Sequence, residues 1–267
     1  MENALTGMEE KKTMTRFDLT GKKAIITGAG RGIGKALAVG LAEAGAQVAV
    51  VSRTESDLQE VVQAIEANGG VACPIAADVT EAGAAEKVVA QALDALGGLH
   101  ILVNNAGMNI RKKAHEVSEA EWDRIMDLNL KAAFFLSQAA ARTMCEQRYG
   151  RIVNIASVAG LVALRTGVAY GASKAGVIQM TRVLALEWSK FGVNVNAIAP
   201  WYFRTPLTEA LLNDEAFVQE VLQRTPSGRI GDVEDLVGPT IFLSSDAAAY
   251  ISGQTIAVDG GMSVYGF

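Results

Sequence analysis

Tyr170 and Lys174 stand four residues apart. On a helix that spacing puts both side chains on one face, with Cβ atoms about 6 Å apart. A tyrosine phenol has an ordinary pKa of about 10 and handles protons best when that value moves toward the working pH. A neighbouring ammonium favours the phenolate, so Lys174 is expected to bring Tyr170 toward neutrality. Ser157, thirteen residues before Tyr170, offers a hydroxyl to a carbonyl or alkoxide oxygen as charge builds on it. Upstream, residues 27–34 read TGAGRGIG. At Gly28, Gly32 and Gly34 no side chain blocks the close approach of backbone to a pyrophosphate, and the helix opened at Gly34 would present free N–H groups and a partial positive charge. The two groups of residues together imply proton transfer at a substrate oxygen beside a bound dinucleotide.

The second strand bears on which dinucleotide. NAD sites place a carboxylate at its end, where it accepts hydrogen bonds from the ribose hydroxyls and repels a 2′-phosphate. Here that position is Ser52, followed by Arg53, and Arg31 projects from the glycine turn toward the same region. Two guanidiniums can flank a phosphate with forked donors, so NADP(H) is the expected cofactor. His100 and His115 are the only histidines, and no carboxylate or cysteine cluster has ligand spacing, so no catalytic metal is expected.

These residues need a scaffold, and the apolar pattern supplies one. Short β-branched runs at 23–27, 47–52, 71–77, 100–104, 150–156, 193–199 and 255–258 suit parallel strands buried on both faces. Helical stretches separate them; Ser118 with Glu121, ahead of Trp122, Ile125 and Met126, has capping-box spacing. Right-handed crossovers then give an α/β fold, a doubly wound seven-stranded parallel sheet of the Rossmann type, in one domain over 17–267. The 267 residues, half of them hydrophobic and 20% charged, supply ample core, and a mean hydropathy of +0.21 leaves apolar surface for contacts between subunits. A net charge of −5 disfavours nucleic acid as a partner. There is no cleavable signal peptide and no run of 18 apolar residues, and Cys73 and Cys145 are the only cysteines; the chain reads as cytoplasmic, reduced and not membrane-bound. Residues 1–16 are polar and aperiodic and read as a mobile tail.

The glycine turn and the Tyr-x-x-x-Lys pair, with Asn129 and Ser157, resemble the classical short-chain dehydrogenase/reductase family over nearly the whole chain. The resemblance implies hydride exchange between a nicotinamide and a secondary alcohol or ketone. It implies that Lys174 also holds the nicotinamide ribose, and that Asn129 interrupts its helix and holds a water linking Lys174 to solvent. Asp78 with Val79 would contact the adenine. Asn105, Ala106 and Gly107 of the Asn104-Asn105-Ala106-Gly107 turn, Ile33, Pro200 and Thr205 would line the rest of the cofactor. Residues 201–231, helical over 207–223, would form a substrate lid. The chain departs from the family at Trp201, where Pro200 is ordinarily followed by glycine; the indole must point outward or cover the nicotinamide pocket. The segment after Gly107, with RTPSGR at 224–229 and VDGG at 258–261, is similar to the gluconate 5-dehydrogenase branch, which implies a sugar acid or polyol held by Arg111 or Arg204, and a homotetramer. The same catalytic set would serve a 3-ketoacyl-thioester reductase, and a non-catalytic NADP-binding regulator is the alternative of another class.

Overall fold

The computed structural model describes residues 16–264. Seven parallel strands, β1 (Lys23–Thr27), β2 (Gln47–Ser52), β3 (Val71–Ala76), β4 (Ile101–Asn104), β5 (Gly150–Ile155), β6 (Val193–Pro200) and β7 (Thr255–Val258), form one sheet in the order β3-β2-β1-β4-β5-β6-β7. The order reverses between β1 and β4, and that switch point opens a crevice above the carboxyl ends of the strands. β1, β4, β5 and β6 are buried almost throughout, and β5 and β6 bury Arg151, Asn154, Asn194 and Asn196 among their apolar residues. The expectation of burial on both faces fails at the margins. β3 is the edge strand, mostly exposed, with Val71 half open to solvent. Pro74 within it lacks the N–H that a central strand would need. β7 at the other edge is only partly covered.

Two helical layers close the sheet. One holds α1 (Gly32–Glu43), α2 (Glu55–Ala67) and, near the carboxyl end of the chain, α9 (Val237–Ser244), whose Leu37, Leu41, Leu58, Ile65 and Leu243 pack on Ile26, Val48, Val50 and Val103. The other holds α3 (Ala84–Leu96), α5 (Ala132–Glu146) and α6 (Val168–Trp188), packed on Ile25, Ala49, Leu102 and Ile152. Before α5 comes α4 (Glu119–Met126), opened by Ser118, whose Oγ accepts from the Glu121 N–H at 3.3 Å while Glu121 Oε2 accepts from the Ser118 N–H at 3.0 Å. The turn joining α4 to α5, Asp127–Lys131, is π-helical; such one-residue bulges inside α-helices concentrate at functional sites, and Asn129 lies in this one.

Most of the expected tail, residues 1–15, lies outside the described residues. Arg16 already belongs to the domain, since its carbonyl accepts from the Ala247 N–H. The expected lid helix over 207–223 is two helices, α7 (Glu209–Leu212) and α8 (Glu215–Gln223). Asp214 separates them by capping α8, its Oδ1 accepting from the N–H groups of Ala216 and Phe217 at 3.0 and 3.3 Å. A capping carboxylate competes with the helix it would otherwise interrupt.

Candidate active site

The switch point holds a cleft of about 650 Å³ that runs from the ends of β2 and β3 to the ends of β5 and β6. At one end lies the glycine turn. Gly28 and Gly32 have φ of +64° and +56°, a region that L side chains rarely adopt. A Cβ on Gly34 would lie 2.1 Å from the Gly28 carbonyl oxygen, so the turn closes this tightly only with glycine there. Asn105 fastens it to β4, donating from Nδ2 to the carbonyls of Thr27 and Gly28 at 2.9 and 3.2 Å, while Thr27 Oγ1 accepts from the N–H groups of Asn105 and Ala106. These bonds hold backbone rather than leave it free, and they explain why an asparagine sits where two strand ends meet.

Ser52, Arg53, Arg31, Asp78 and Val79 line the same end. Arg31 and Arg53 are exposed at the mouth, and Arg53 leans toward Asp78 at 3.9 Å. Hydrogen bonds from the hydroxyl and N–H of Thr80, then the charge of Arg53, hold the Asp78 carboxyl below the usual range. One neighbour escaped the sequence reading. A Cβ on Gly30 would meet Asp57 Cβ at 2.9 Å and Ser52 Oγ at 3.0 Å, which brings the Asp57 carboxylate, from the first turn of α2, beside Ser52. Its position three residues after Thr54, the residue before the helix, was the available signal.

At the other end α6, β5 and the π-turn converge. Tyr170 is half-buried on the wall of the cleft, and desolvation pushes its phenol above the ordinary value; Ser157 and the charge of Arg111 pull the other way. This corrects the expectation that Lys174 would carry Tyr170 toward neutrality. The Lys174 ammonium lies 5.7 Å from the Tyr170 ring centroid and donates to the Ile155 carbonyl at 2.7 Å. Its own pKa is drawn down by burial to about 8, so at neutral pH it is a buried cation held by a strand-end carbonyl. Ser157 caps a short 3-10 turn, its Oγ accepting from the Ala159 N–H. Asn129 is buried with its side chain fully engaged: Oδ1 accepts from the Met108 N–H at 2.8 Å, and Nδ2 donates to the Met108 carbonyl at 2.9 Å and to Ser173 Oγ at 3.1 Å. The amide thus fixes the segment after β4 onto α6. Gly107 lies between them; a Cβ there would sit 3.3 Å from Asn129 Oδ1 and 3.5 Å from Lys174 Nζ.

The segment from Met108 to Arg111 and the strand end from Pro200 to Thr208 face each other across this end. Arg111 is half-buried, and its guanidinium donates to the Tyr202 hydroxyl at 3.2 Å. It has no carboxylate partner among the described residues, whereas Lys112 pairs with Glu121, Arg165 with Glu220 and Arg229 with Asp235. Arg204 is placed elsewhere. Phe203 and Gly231 form a β-bridge that turns Phe203 inward, so the next side chain, Arg204, is exposed and off the cleft. Trp201 neither points into solvent nor closes the cleft alone. It stands between the cleft and a second cavity of about 220 Å³ lined by Thr225, Ser227, Arg229 and Asp235, with Nε1 donating to Thr225 Oγ1 at 3.1 Å. Thr205 lies beside the glycine turn, 3.6 Å from where a Gly32 Cβ would be. Tyr202, Asn109, Leu164 and Arg124 also line the cleft and were not singled out from sequence. No group of three or more His, Cys, Asp or Glu among the described residues has metal-site geometry.

Residues 28–263 match the family described as enoyl-(acyl carrier protein) reductase. The chain is 43% identical over 257 residues to a tropinone reductase homolog of Arabidopsis thaliana, covering 96% of this chain and 97% of that protein. It is also 43% identical over 249 residues to gluconate 5-dehydrogenase of Gluconobacter oxydans, covering 93% and 97%. A crystal structure of a Burkholderia cenocepacia gluconate 5-dehydrogenase in complex with NADP and tartrate superposes with a TM-score of 0.92 at 38% identity, over 95% of this chain and 99% of that one. With a shared fold, near-complete coverage and the tyrosine and lysine brought together under one cleft, the chain belongs to the short-chain dehydrogenase/reductase family.

Proposed function

We propose that the protein is an NADP(H)-dependent oxidoreductase that interconverts a secondary alcohol and a ketone on a sugar acid. The observation that carries the substrate class is Arg111. A half-buried guanidinium at the catalytic end of a cleft, satisfied among the described residues only by a tyrosine hydroxyl, is suited to a carboxylate, which can accept two of its forked donors. Relatives named for gluconate and 5-keto-gluconate, and the tartrate in the Burkholderia structure, support the same reading. A ketoacyl thioester has no charge at its reacting end to offset Arg111, which disfavours that alternative.

The cleft fits the cofactor. The glycine turn would hold the pyrophosphate, Arg31, Arg53 and Ser52 the 2′-phosphate, Asp78 and Val79 the adenine side, and Lys174 with Thr205 and Pro200 the nicotinamide end. When bound, NADP(H) supplies or accepts the hydride. The side chains of the protein do the rest. In the reducing direction Tyr170 donates its phenolic proton to the carbonyl oxygen, and Ser157, on the same cleft wall, stabilises the charge growing there. Because burial raises the Tyr170 pKa, the phenol is fully protonated at neutral pH and ready to donate. Lys174 keeps positive charge within reach of the phenolate that results, and Asn129 holds the wall that places both.

No helix among the described residues is long and apolar enough to cross a membrane. The free cysteines Cys73 and Cys145 fit a reducing cytoplasm. Phe135, Val168, Val183, Leu186 and Tyr250 expose apolar surface on α5, α6 and the segment before β7, in keeping with a homotetramer. The test of the reading is a panel of ketones assayed by NADPH absorbance: 5-ketogluconate, a neutral ketose and an acetoacetyl thioester. Preference for the sugar acid is expected; turnover of the thioester alone would refute it.

A further inference from the structure

The hydroxyl of Tyr202 accepts from Arg111, yet its own proton has no acceptor among the described residues. A phenol that accepts from a guanidinium and keeps its proton free presents an O–H donor next to the forked N–H donors. Both side chains line the cleft that Tyr170 and Ser157 enter, and a carboxylate has lone pairs enough to take all three. The ring of Tyr202 is held from behind. Its edge packs against Trp201, with centroids 4.5 Å apart at 66°, and against Phe217 of α8, 5.3 Å apart at 88°. Such edge-to-face pairs fix orientation as well as burying area. α8 is tied to the segment before α6 by Arg165 to Glu220 at 2.8 Å, and its end is held by Trp201 through Thr225, whose hydroxyl donates to the Val221 carbonyl at 2.6 Å.

We propose that Tyr202 determines specificity for acidic substrates: its hydroxyl and the Arg111 guanidinium together form the carboxylate subsite, and its ring, through Phe217, makes that subsite part of the lid. This rests on the sugar-acid reading of the same cleft. The subsite is complete only while α8 stands where Phe217 reaches Tyr202, so an acid is recognised by the closed lid and a neutral ketone is indifferent to that contact.

Tyr202→Phe keeps the ring and removes only the donor. In enzyme saturated with NADP⁺, tartrate binding measured by calorimetry is expected to weaken roughly tenfold, the size of a hydrogen bond to a charged group. The ratio of kcat/KM for 5-ketogluconate to that for fructose should fall by a similar factor. Phe217→Leu, which leaves the hydroxyl but loosens its seat, should move the same ratio in the same direction. If Arg111→Ala weakens tartrate while Tyr202→Phe leaves both tartrate affinity and the acid-to-neutral ratio as in the wild type, the sugar-acid reading stands and the role of Tyr202 is overturned. If the wild type neither binds tartrate nor reduces any sugar acid, the reading of the cleft fails and the subsite with it.

Discussion

Lys174 should cost the protein stability in proportion to the charge it keeps buried. Its side chain is 4% exposed, and burial draws its pKa from the ordinary 10.5 to about 8. At ~1.36 kcal/mol per pH unit, that difference is about 3 kcal/mol. Because the folded-state value lies below the unfolded one, between about pH 8 and 10.5 the unfolded chain binds a proton that the folded chain does not. Wild-type stability therefore gains from this group as pH rises through that window, and the cost is full below pH 8. Lys174→Met keeps an unbranched stem and removes the charge, but it also leaves the Ile155 carbonyl, now bonded at 2.7 Å, without its donor, a loss of about 1–3 kcal/mol. At pH 7 the two terms largely offset. The pH dependence separates them, because a neutral amine still donates to Ile155. Relative to the wild type, the variant should lose roughly 2 kcal/mol, or about 5 °C in Tm, between pH 7 and pH 10. Thermal and urea unfolding of the cofactor-free proteins at several pH values measures this. A difference between variant and wild type that stays flat over that range would mean that Lys174 keeps its ordinary pKa in the folded protein, solvated despite its burial, and would refute the reasoning.

Three further outcomes follow from the same geometry. Since the half-buried Tyr170 phenol holds its proton above its ordinary pKa, ketone reduction should be steady through neutral pH while alcohol oxidation, which needs the phenolate, climbs with pH; parallel profiles for the two directions, measured at saturating substrate, would contradict this. Replacing Ser52 with Asp should lower the NADPH-to-NADH ratio of kcat/KM by about tenfold or more, some 1.4 kcal/mol, and Asp57→Asn, by removing the carboxylate beside Ser52, should raise it; no movement in either variant would mean that the 2′-phosphate lies elsewhere. Burial and the neighbouring Lys22 and Lys23 depress the pKa of His100, and its Nδ1 accepts from the Lys23 N–H at the start of β1. Stability tied to the neutral ring should then drain away as pH falls below about 6.5 toward the folded-state value, and His100→Asn, with a carbonyl as acceptor, should lose less between pH 7 and 5 in the same unfolding assay.

The fold was legible because a doubly wound sheet writes its interior as continuous apolar runs. β1, β2 and β7 fall where the β-branched residues do, and the other strands differ from the runs by a residue at one end. What periodicity does not encode is which strand lies outside; Pro74 was the local sign that β3 does. The placement of Tyr170 and Lys174 in one cleft was legible by type and spacing, since a helix turns both to one face whatever surrounds it. Their electrostatics were not, because the carbonyl that accepts the Lys174 hydrogen bond belongs to Ile155, nineteen residues away on another element. Arg204 and Tyr202 show the same limit. Both lie in one short segment, and only how that segment packs in the folded chain decides that the arginine is exposed while the tyrosine lines the cleft. Asp57 was hidden for a related reason: its neighbour Gly30 sits on a different turn, and only the packing of α2 against the glycine loop brings the two together.

In the proposed reaction the central step is the passage of the Tyr170 proton to a ketone of a sugar acid while NADPH is oxidised. The most direct measurement is the initial rate of NADPH oxidation by 5-ketogluconate for wild type and Tyr170→Phe, beside NADPH binding to each by fluorescence. The wild type should turn over, and the variant should lose activity by about 10²–10⁴-fold while binding NADPH nearly as tightly. A variant that keeps a substantial fraction of the wild-type rate would assign the proton to another group and contradict the account.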